Sequence, residues 1–255
     1  MIEKTKTALW FAQRPSHWAH GAALARRKLL PNHDDPTSRA QARCWAAERT
    51  VSVADGLSAV GLQGKITSVD PSLIAEGRER AWKSEVKMGG AGDLDLLYNA
   101  VRLQQASRVV ETGVAYGWSS LAILSAFENL NSSTLISVDM PYPKLGNEAF
   151  VGIVVPERLR AAWTLVREPD KRGLEKALTL IGGTIDLCHY DSDKSWWGRH
   201  YAFPLLWKAL RPGGIFISDD IQDNMYFAEF ISDKRVPFAV TESQGKYVGI
   251  ARKPV

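Results

Sequence analysis

Residues 108–124 read RVVETGVAYGWSSLAIL. Val109 and Val110 open the stretch as an apolar run of strand type. Gly113 to Gly117 form a glycine-bearing turn, and Leu121, Ile123 and Leu124 continue it as a helical run. Strand, glycine turn and helix together are the physical recipe for a nucleotide-type cofactor site. Small residues let the backbone approach a ligand, and the first turn of the helix offers unpaired N–H groups. Glu111, at the strand end, is placed to accept hydrogen bonds from ribose hydroxyls.

Outward from this stretch, strand and helix alternate. A helix capped by Asp93 runs to about Gln105 and precedes the strand Arg108–Thr112; a helix follows from Trp118 to about Asn129. Thr134–Val138 reads as a second strand ending in Asp139, Ala162–Arg167 as a third, Ile185–Tyr190 as a fourth and Ile215–Ser218 as a fifth. The last is entered through the tight turn Arg211-Pro212-Gly213-Gly214. Phe238–Thr241 and Tyr247–Ala251 read as a β-hairpin around Gly245. The expected fold is therefore α/β. It is a Rossmann-like, doubly wound and mainly parallel seven-stranded sheet with a C-terminal antiparallel hairpin. Residues 140–160 form a long irregular stretch of the kind that usually serves function.

Residues 1–85 are read as an N-terminal helical extension and 86–255 as the main domain. Helices are expected at about His17–Leu30 and Thr37–Ala54, the latter capped by Thr37 or Ser38, with Asp55-Gly56 as a turn. A further short helix is expected around Ser72–Trp82. The extension is too small to stand as a domain alone. It is read as a lid or a contact between copies, which makes a homo-oligomer one expected assembly.

The chain has 255 residues and a net charge of +4. Residues 1–54 hold nine Lys/Arg against four Asp/Glu, a balance of +5, so the remainder carries −1. A solvated helical face is the ordinary reading of such a bias, and nucleic acid is not the expected partner. No apolar run approaches the length of a membrane span. The start MIEKTKTALWFAQRPSHW is too broken by Gln, Arg and Pro for a signal peptide. The two Cys, Cys44 and Cys188, form neither a disulfide framework nor a metal pattern. The expected location is cytoplasmic.

The acids at strand ends carry the chemistry. Glu111 and Asp139 suit a ligand with several hydroxyl or amine donors, although a turn or capping acid is the plain alternative for Asp139. Asp191 and Asp193 follow the fourth strand; Asp219 and Asp220 follow the fifth. Asp223 lies just beyond, and adjacent strand ends lie about 5 Å apart, so three of these carboxylates can converge. Carboxylates that close repel, and a hard divalent cation with oxygen ligands, Mg2+, removes the penalty. The alternative is that Asp219 or Asp220 caps the next helix while Asp193 faces solvent. Lys194 stands three residues after Asp191 and can accept a hydroxyl proton if desolvated. His189 is as readily a satisfied core histidine as a site residue.

Val109–Ser119 resembles motif I of the class I S-adenosylmethionine-dependent O-methyltransferases of the catechol O-methyltransferase type. Val86-Lys87-Met88-Gly89-Gly90 is similar to that family's glycine-containing cofactor lid. Tyr190-Asp191-Ser192-Asp193-Lys194 is similar to its aspartate with a lysine three residues on, and RPGGIFISDD, residues 211–220, to its Pro-Gly-Gly turn and acidic strand end. The D-S-D-K-S-W and L-R-P-G-G patterns are closer still to a bacterial branch acting on sugars and natural products, including cephalosporin-hydroxylase-like proteins. The resemblance covers about residues 86–252. It implies cofactor contacts at Met88, Glu111, Gly113, Gly117, Ser119 and Asp139. It also implies Mg2+ at Asp191, Asp219 and Asp220, a base at Lys194, and a small-molecule hydroxyl as methyl acceptor. Three departures stand out. Ala115 replaces the usual Gly or Tyr; Lys194 stands where the bacterial branch often has His; and Asp220 stands where the catechol enzymes have Asn. An NAD-type oxidoreductase on the same sheet and a cofactor-binding protein without turnover are the rival readings. Against NAD, the turn Gly113-Val114-Ala115-Tyr116-Gly117 lacks G-x-G-x-x-G.

Overall fold

The computed structural model describes residues 7, 9–130, 132–141 and 146–255. Residues 142–145, part of the irregular stretch 140–160, lie outside the described residues. Seven strands form one sheet: β1 (Arg108–Thr112), β2 (Thr134–Val138), β3 (Trp163–Val166), β4 (Ile185–Tyr190), β5 (Leu210–Ser218), β6 (Phe238–Ser243) and β7 (Lys246–Arg252). Their spatial order is β3-β2-β1-β4-β5-β7-β6. The five strands from β3 to β5 are parallel, and β7 enters antiparallel between β5 and β6. The chain runs outward from β1 to β2 and β3, then crosses back to β4 on the other side of β1. That reversal opens a crevice at the carboxyl ends of β1 and β4.

The period-two alternation of strands divides the core. Val109, Leu135, Leu187 and Ile215 face one apolar cluster with Leu121 of the helix Trp118–Ala126. Their neighbours Val110, Ile136, Cys188 and Phe216 face the other, with Phe203 of the helix Trp196–Ala209. Both faces are covered, so the strands read as near-continuous apolar runs. Each fully buried Leu, Ile or Phe contributes roughly 1.5–3 kcal/mol.

Three boundaries differ from the sequence reading. The helix Pro36–Ala47 is capped by Asp35, whose side chain accepts from Thr37 N and Ser38 N. An aspartate carboxylate reaches two amides there, and Pro36 supplies a preset φ at the first position. Asp55-Gly56 is no turn: Ser52 caps a helix Val53–Ala59 that runs through both residues. Gly56 is tolerated mid-helix because the helix packs closely on β6, where an added Cβ would stand 3.2 Å from Thr241. β5 begins at Leu210 and takes Arg211-Pro212-Gly213-Gly214 into the strand. Part of the N-terminal extension packs into the core of the main sheet. Leu57, Val60, Leu62, Val69 and Leu73 share one core with Leu96, Leu121 and Ile250. Val51 N also donates to Val240 O at 2.9 Å, which occupies part of the β6 edge.

Candidate active site

The crevice is a cleft open to solvent. It is lined by four segments: Gly89, Gly90, Ala91 and Gly92; Val114, Ala115, Trp118 and Ser119; Asp191, Lys194 and Asp219; and Ser243, Gln244 and Lys246 of the hairpin. The structure thus brings Ser119, Asp191, Lys194 and Asp219 together in one cleft.

The glycine turn is shaped by the strands around it. Gly113 has φ +79° and Gly117 φ +90°, a region closed to most side chains. Gly113 lies on the carbonyl of Asp191, and an added Cβ would stand 2.6 Å from that carbonyl carbon. Ala115 also takes a positive φ, 47°, which accounts for the glycine that often stands at this position in the resembling family. Tyr116 donates its hydroxyl to Val86 O at 2.6 Å and accepts from Met88 N at 3.2 Å. It thereby ties the segment before Gly89 to the turn. Met88 itself is held through its sulfur by Asn147 Nδ2 and flanks the lining glycines.

Glu111 and Asp139 sit beneath the turn rather than in the cleft. Glu111 is fully buried and accepts from Ser120 Oγ at 2.5 Å and Ser137 Oγ at 2.6 Å. Its carboxylate therefore faces the protein, so direct ribose contact is not the geometry seen. Asp139 Oδ1 accepts from Val114 N at 2.9 Å, and its other oxygen pairs with Arg167. The acid clamps the glycine turn to the end of β2. His189 resolves as a charged core residue. Its Nε2 lies 3.3 Å from Asp219 Oδ1, and its Nδ1 lies 3.7 Å from Glu111 Oε1, an ion-pair distance without a hydrogen bond. Burial alone would lower the imidazole pKa; the two carboxylates outweigh it and raise it to about 10.

Asp191, Lys194 and Asp220 form an ion cluster. Lys194 pairs with Asp220 and stands 3.2 Å from Asp191 Oδ1; Lys246 adds a second ammonium 3.1 Å from Asp220. Asp220 adopts φ 51°. Buried Arg199 holds it there by donating to Asp220 O at 2.7 Å and Asp219 O at 3.3 Å. Burial would raise the Asp220 pKa, but the two lysines hold it below the usual carboxylate range. Burial and then Asp219 push Asp191 up to about 7. Burial would lower Lys194, yet Asp191 and Asp220 hold it well above the usual lysine value, so it is an ammonium.

Residues 110–221 match the model of a family described as a methyltransferase domain. That stretch is therefore similar to a methyltransferase domain. A mouse relative, catechol O-methyltransferase domain-containing protein 1, is 30% identical over 121 residues, 47% of this chain and 44% of the relative. The chain thus spans less than half the length of that relative. An O-methyltransferase from Bacillus cereus, solved with SAH, has a TM-score of 0.58 at 15% identity and covers 82% of this chain and 100% of its own. TomG from Streptomyces achromogenes, an O-methyltransferase of tomaymycin synthesis solved with SAM, has a TM-score of 0.52 at 17% identity and covers 82% and 98%. These structural likenesses show the fold alone, a Rossmann-like sheet.

The hairpin residues Ser243, Gln244 and Lys246, which line the cleft, escaped the sequence reading. They reach the cleft only because β7 inserts beside β5, and the two-residue turn Gln244-Gly245, with φ 53° and 76°, ends at the cleft. The turn was legible; the insertion of β7 was not. Among the described residues, no helix is long and apolar enough to cross a membrane.

Asp170 is a further titratable group behind the site. Its carboxylate accepts from Ser192 Oγ at 2.5 Å, and burial pushes its pKa up to about 6. An acid whose folded pKa lies above its unfolded value of about 3.9 contributes stability below pH 4, which is lost as pH rises through 6. Asp170→Asn is permanently neutral. It is expected to stabilise the fold by up to about 3 kcal/mol at pH 7.5, with the gain vanishing near pH 4. Urea unfolding at both pH values checks this; an equal gain at both would assign the effect to something other than ionisation.

Proposed function

We propose that the chain catalyses S-adenosylmethionine-dependent transfer of a methyl group to a hydroxyl of a small molecule, such as a sugar, phenol or natural product. The observation that carries this is the cleft itself: Val114 and Ala115 of the glycine turn, Ser119, Asp191, Lys194 and Asp219 line it together, within the stretch that matches a methyltransferase domain model. The glycine segment at 89–92 leaves the space a Cβ would take, as a cofactor seat requires. S-adenosylmethionine, when bound, supplies the electrophilic methyl group. The chain's own part is to hold the acceptor oxygen in line with it and keep water out, which is the larger share of such catalysis. An NAD-type oxidoreductase is the second reading of the sheet, and no side chain of this cleft favours it.

A divalent cation, Mg2+, is part of the proposal. The donor set fits: the carboxylates of Asp191, Asp219 and Asp220 offer oxygen only. Asp191 Oδ1 is buried and has the Lys194 ammonium 3.2 Å away, an ion pair without hydrogen-bond geometry. Against this, no group of three or more His, Cys, Asp or Glu side chains among the described residues is arranged to hold a metal, and the Lys194 ammonium stands between Asp191 and Asp220. Asp191, Asp219 and Asp220 would hold the ion, with Lys194 turned aside. The ion supplies Lewis acidity that lowers the acceptor hydroxyl pKa. Proton uptake by Lys194 needs the neutral amine, which its pairs with Asp191 and Asp220 disfavour. The base role opens only when another cation engages those carboxylates.

Calorimetry with S-adenosylmethionine and with NAD tests the first part; tight NAD binding without S-adenosylmethionine binding would overturn it. For the metal, transfer to a hydroxyl-bearing panel should fall at least ~100-fold in excess chelator and return with Mg2+. Asp191→Ala should remove that dependence and keep cofactor affinity. Full activity in chelator would leave the charge role to the two lysines.

A further inference from the structure

Residues 27–34 reach over the loop that carries Lys194. Arg27 pairs with Asp193 and donates to Ser195 Oγ at 3.2 Å. Trp197 Nε1 donates to Pro31 O at 3.1 Å, and His33 stacks on Trp196 with ring centroids 4.3 Å apart. Asp34 makes the central contact. Its Oδ1 accepts from Trp196 N at 2.8 Å and from Asn224 Nδ2 at 2.7 Å. Asn224 Nδ2 also donates to Lys194 O at 2.9 Å, while Asn224 Oδ1 accepts from Arg199 at 3.1 Å. One carboxylate oxygen therefore fixes both the first turn of the helix Trp196–Ala209 and the asparagine that holds the backbone of Lys194.

The loop's start is anchored to the sheet, where Asp191 N donates to Thr112 O at 2.9 Å and Ser192 Oγ to Thr112 Oγ1 at 2.9 Å and to Asp170 at 2.5 Å. Tyr190 Oη donates to Asp193 O at 2.8 Å, and Asp193 Oδ1 accepts from Ser195 Oγ at 2.7 Å. These bonds lie within or behind the loop. The contacts from residues 27–34 are the ones that tie it to another part of the chain 160 or more residues away.

We propose that residues 27–34 are a latch on the site, and that Asp34 is a positioning residue that sets Lys194 for methyl transfer through Asn224. This rests on the proposed reading of Lys194 as part of the transfer site. It gives the N-terminal segment a role in turnover with no contact to cofactor or acceptor. A misplacement of about 1 Å costs on the order of 100-fold in rate, so a loosened Lys194 is felt in kcat.

The test uses the full chain with Asp34→Ala, Asp34→Asn and Arg27→Met. Asn keeps an Oδ1 that accepts both hydrogen bonds, so it is the rescue variant. In Asp34→Ala, kcat should fall on the order of 10–100-fold, the S-adenosylmethionine dissociation constant should stay within about twofold, and amides of residues 191–197 should exchange with deuterium faster. Asp34→Asn should restore kcat to within about threefold, and Arg27→Met should fall between the two. Unchanged exchange in Asp34→Ala, faster exchange with unchanged kcat, or no rescue by Asn would each overturn the latch. Loss of cofactor affinity in step with kcat would also overturn it. A wild-type chain that transfers no methyl group defeats the functional reading; the exchange of residues 191–197 then decides by itself whether residues 27–34 hold the loop.

Discussion

Gly113→Ala is expected to lose about 2–5 kcal/mol of stability, and cofactor binding with it. Two costs add. Gly113 has φ +79°, which costs an L-residue roughly 1–2 kcal/mol. The new Cβ would also overlap the backbone carbonyl of Asp191, and overpacking costs about 1–3 kcal/mol. That carbonyl belongs to main chain pinned by Asp191 N donating to Thr112 O at 2.9 Å. No rotamer change relieves the overlap; the ends of β1 and β4 must part. Gly245→Ala is the matched control. Its φ is +76°, and nothing lies within 4 Å of the added Cβ, so only the backbone cost of roughly 1–2 kcal/mol remains. Urea unfolding of both variants and calorimetry with S-adenosylmethionine provide the measurement. Equal losses in the two would show that the β1–β4 contact contributes nothing.

Removing the imidazolium beneath the cleft is the second large effect. His189→Leu leaves Glu111 and Asp219 without the cation between them. Glu111 is fully buried and keeps only its two serine hydroxyls. Breaking a buried ion pair by removing one partner costs about 3–5 kcal/mol, because the remaining charge stays desolvated. The double variant His189→Leu, Glu111→Gln removes a positive and a negative charge together. It should recover at least about 1 kcal/mol of the single variant's loss, since groups in one network do not add. Chemical denaturation of the two singles and the double closes the cycle; strict additivity would show that His189 and Glu111 do not share a charge balance. Leu at 189 also removes the bond to Asp219 Oδ1, so the orientation of that cleft carboxylate should loosen.

Much of this architecture was legible from residues 108–252. Val109 and Val110 alternate into opposite cores, Gly113 and Gly117 stand at two of the three positive-φ positions of the turn, and the strands that precede Asp191 and Asp219 end at one cleft. Period-two and helical apolar patterns are local, so they survive without knowledge of the partners. The roles of the acids were less legible. Glu111 and Asp139 have the composition of ligand groups, and in the structure Ser120 and Ser137 bond one oxygen of Glu111 while Val114 N and Arg167 engage Asp139. A strand-end acid looks the same in sequence whether it faces a ligand or a neighbour.

The amino-acid sequence by itself determined the mainly parallel sheet, the glycine turn after β1 and the identity of the cleft acids, because spacing and backbone preference act over a few residues. Only the tertiary structure decided which charges meet. It placed Lys194 between Asp191 and Asp220, Lys246 beside Asp220, His189 between Glu111 and Asp219, and Asp34 on Trp196 and Asn224. Those pairings join residues up to 190 positions apart. Electrostatic and hydrogen-bond partners are chosen by distances of a few ångströms, and strand order alone sets those distances.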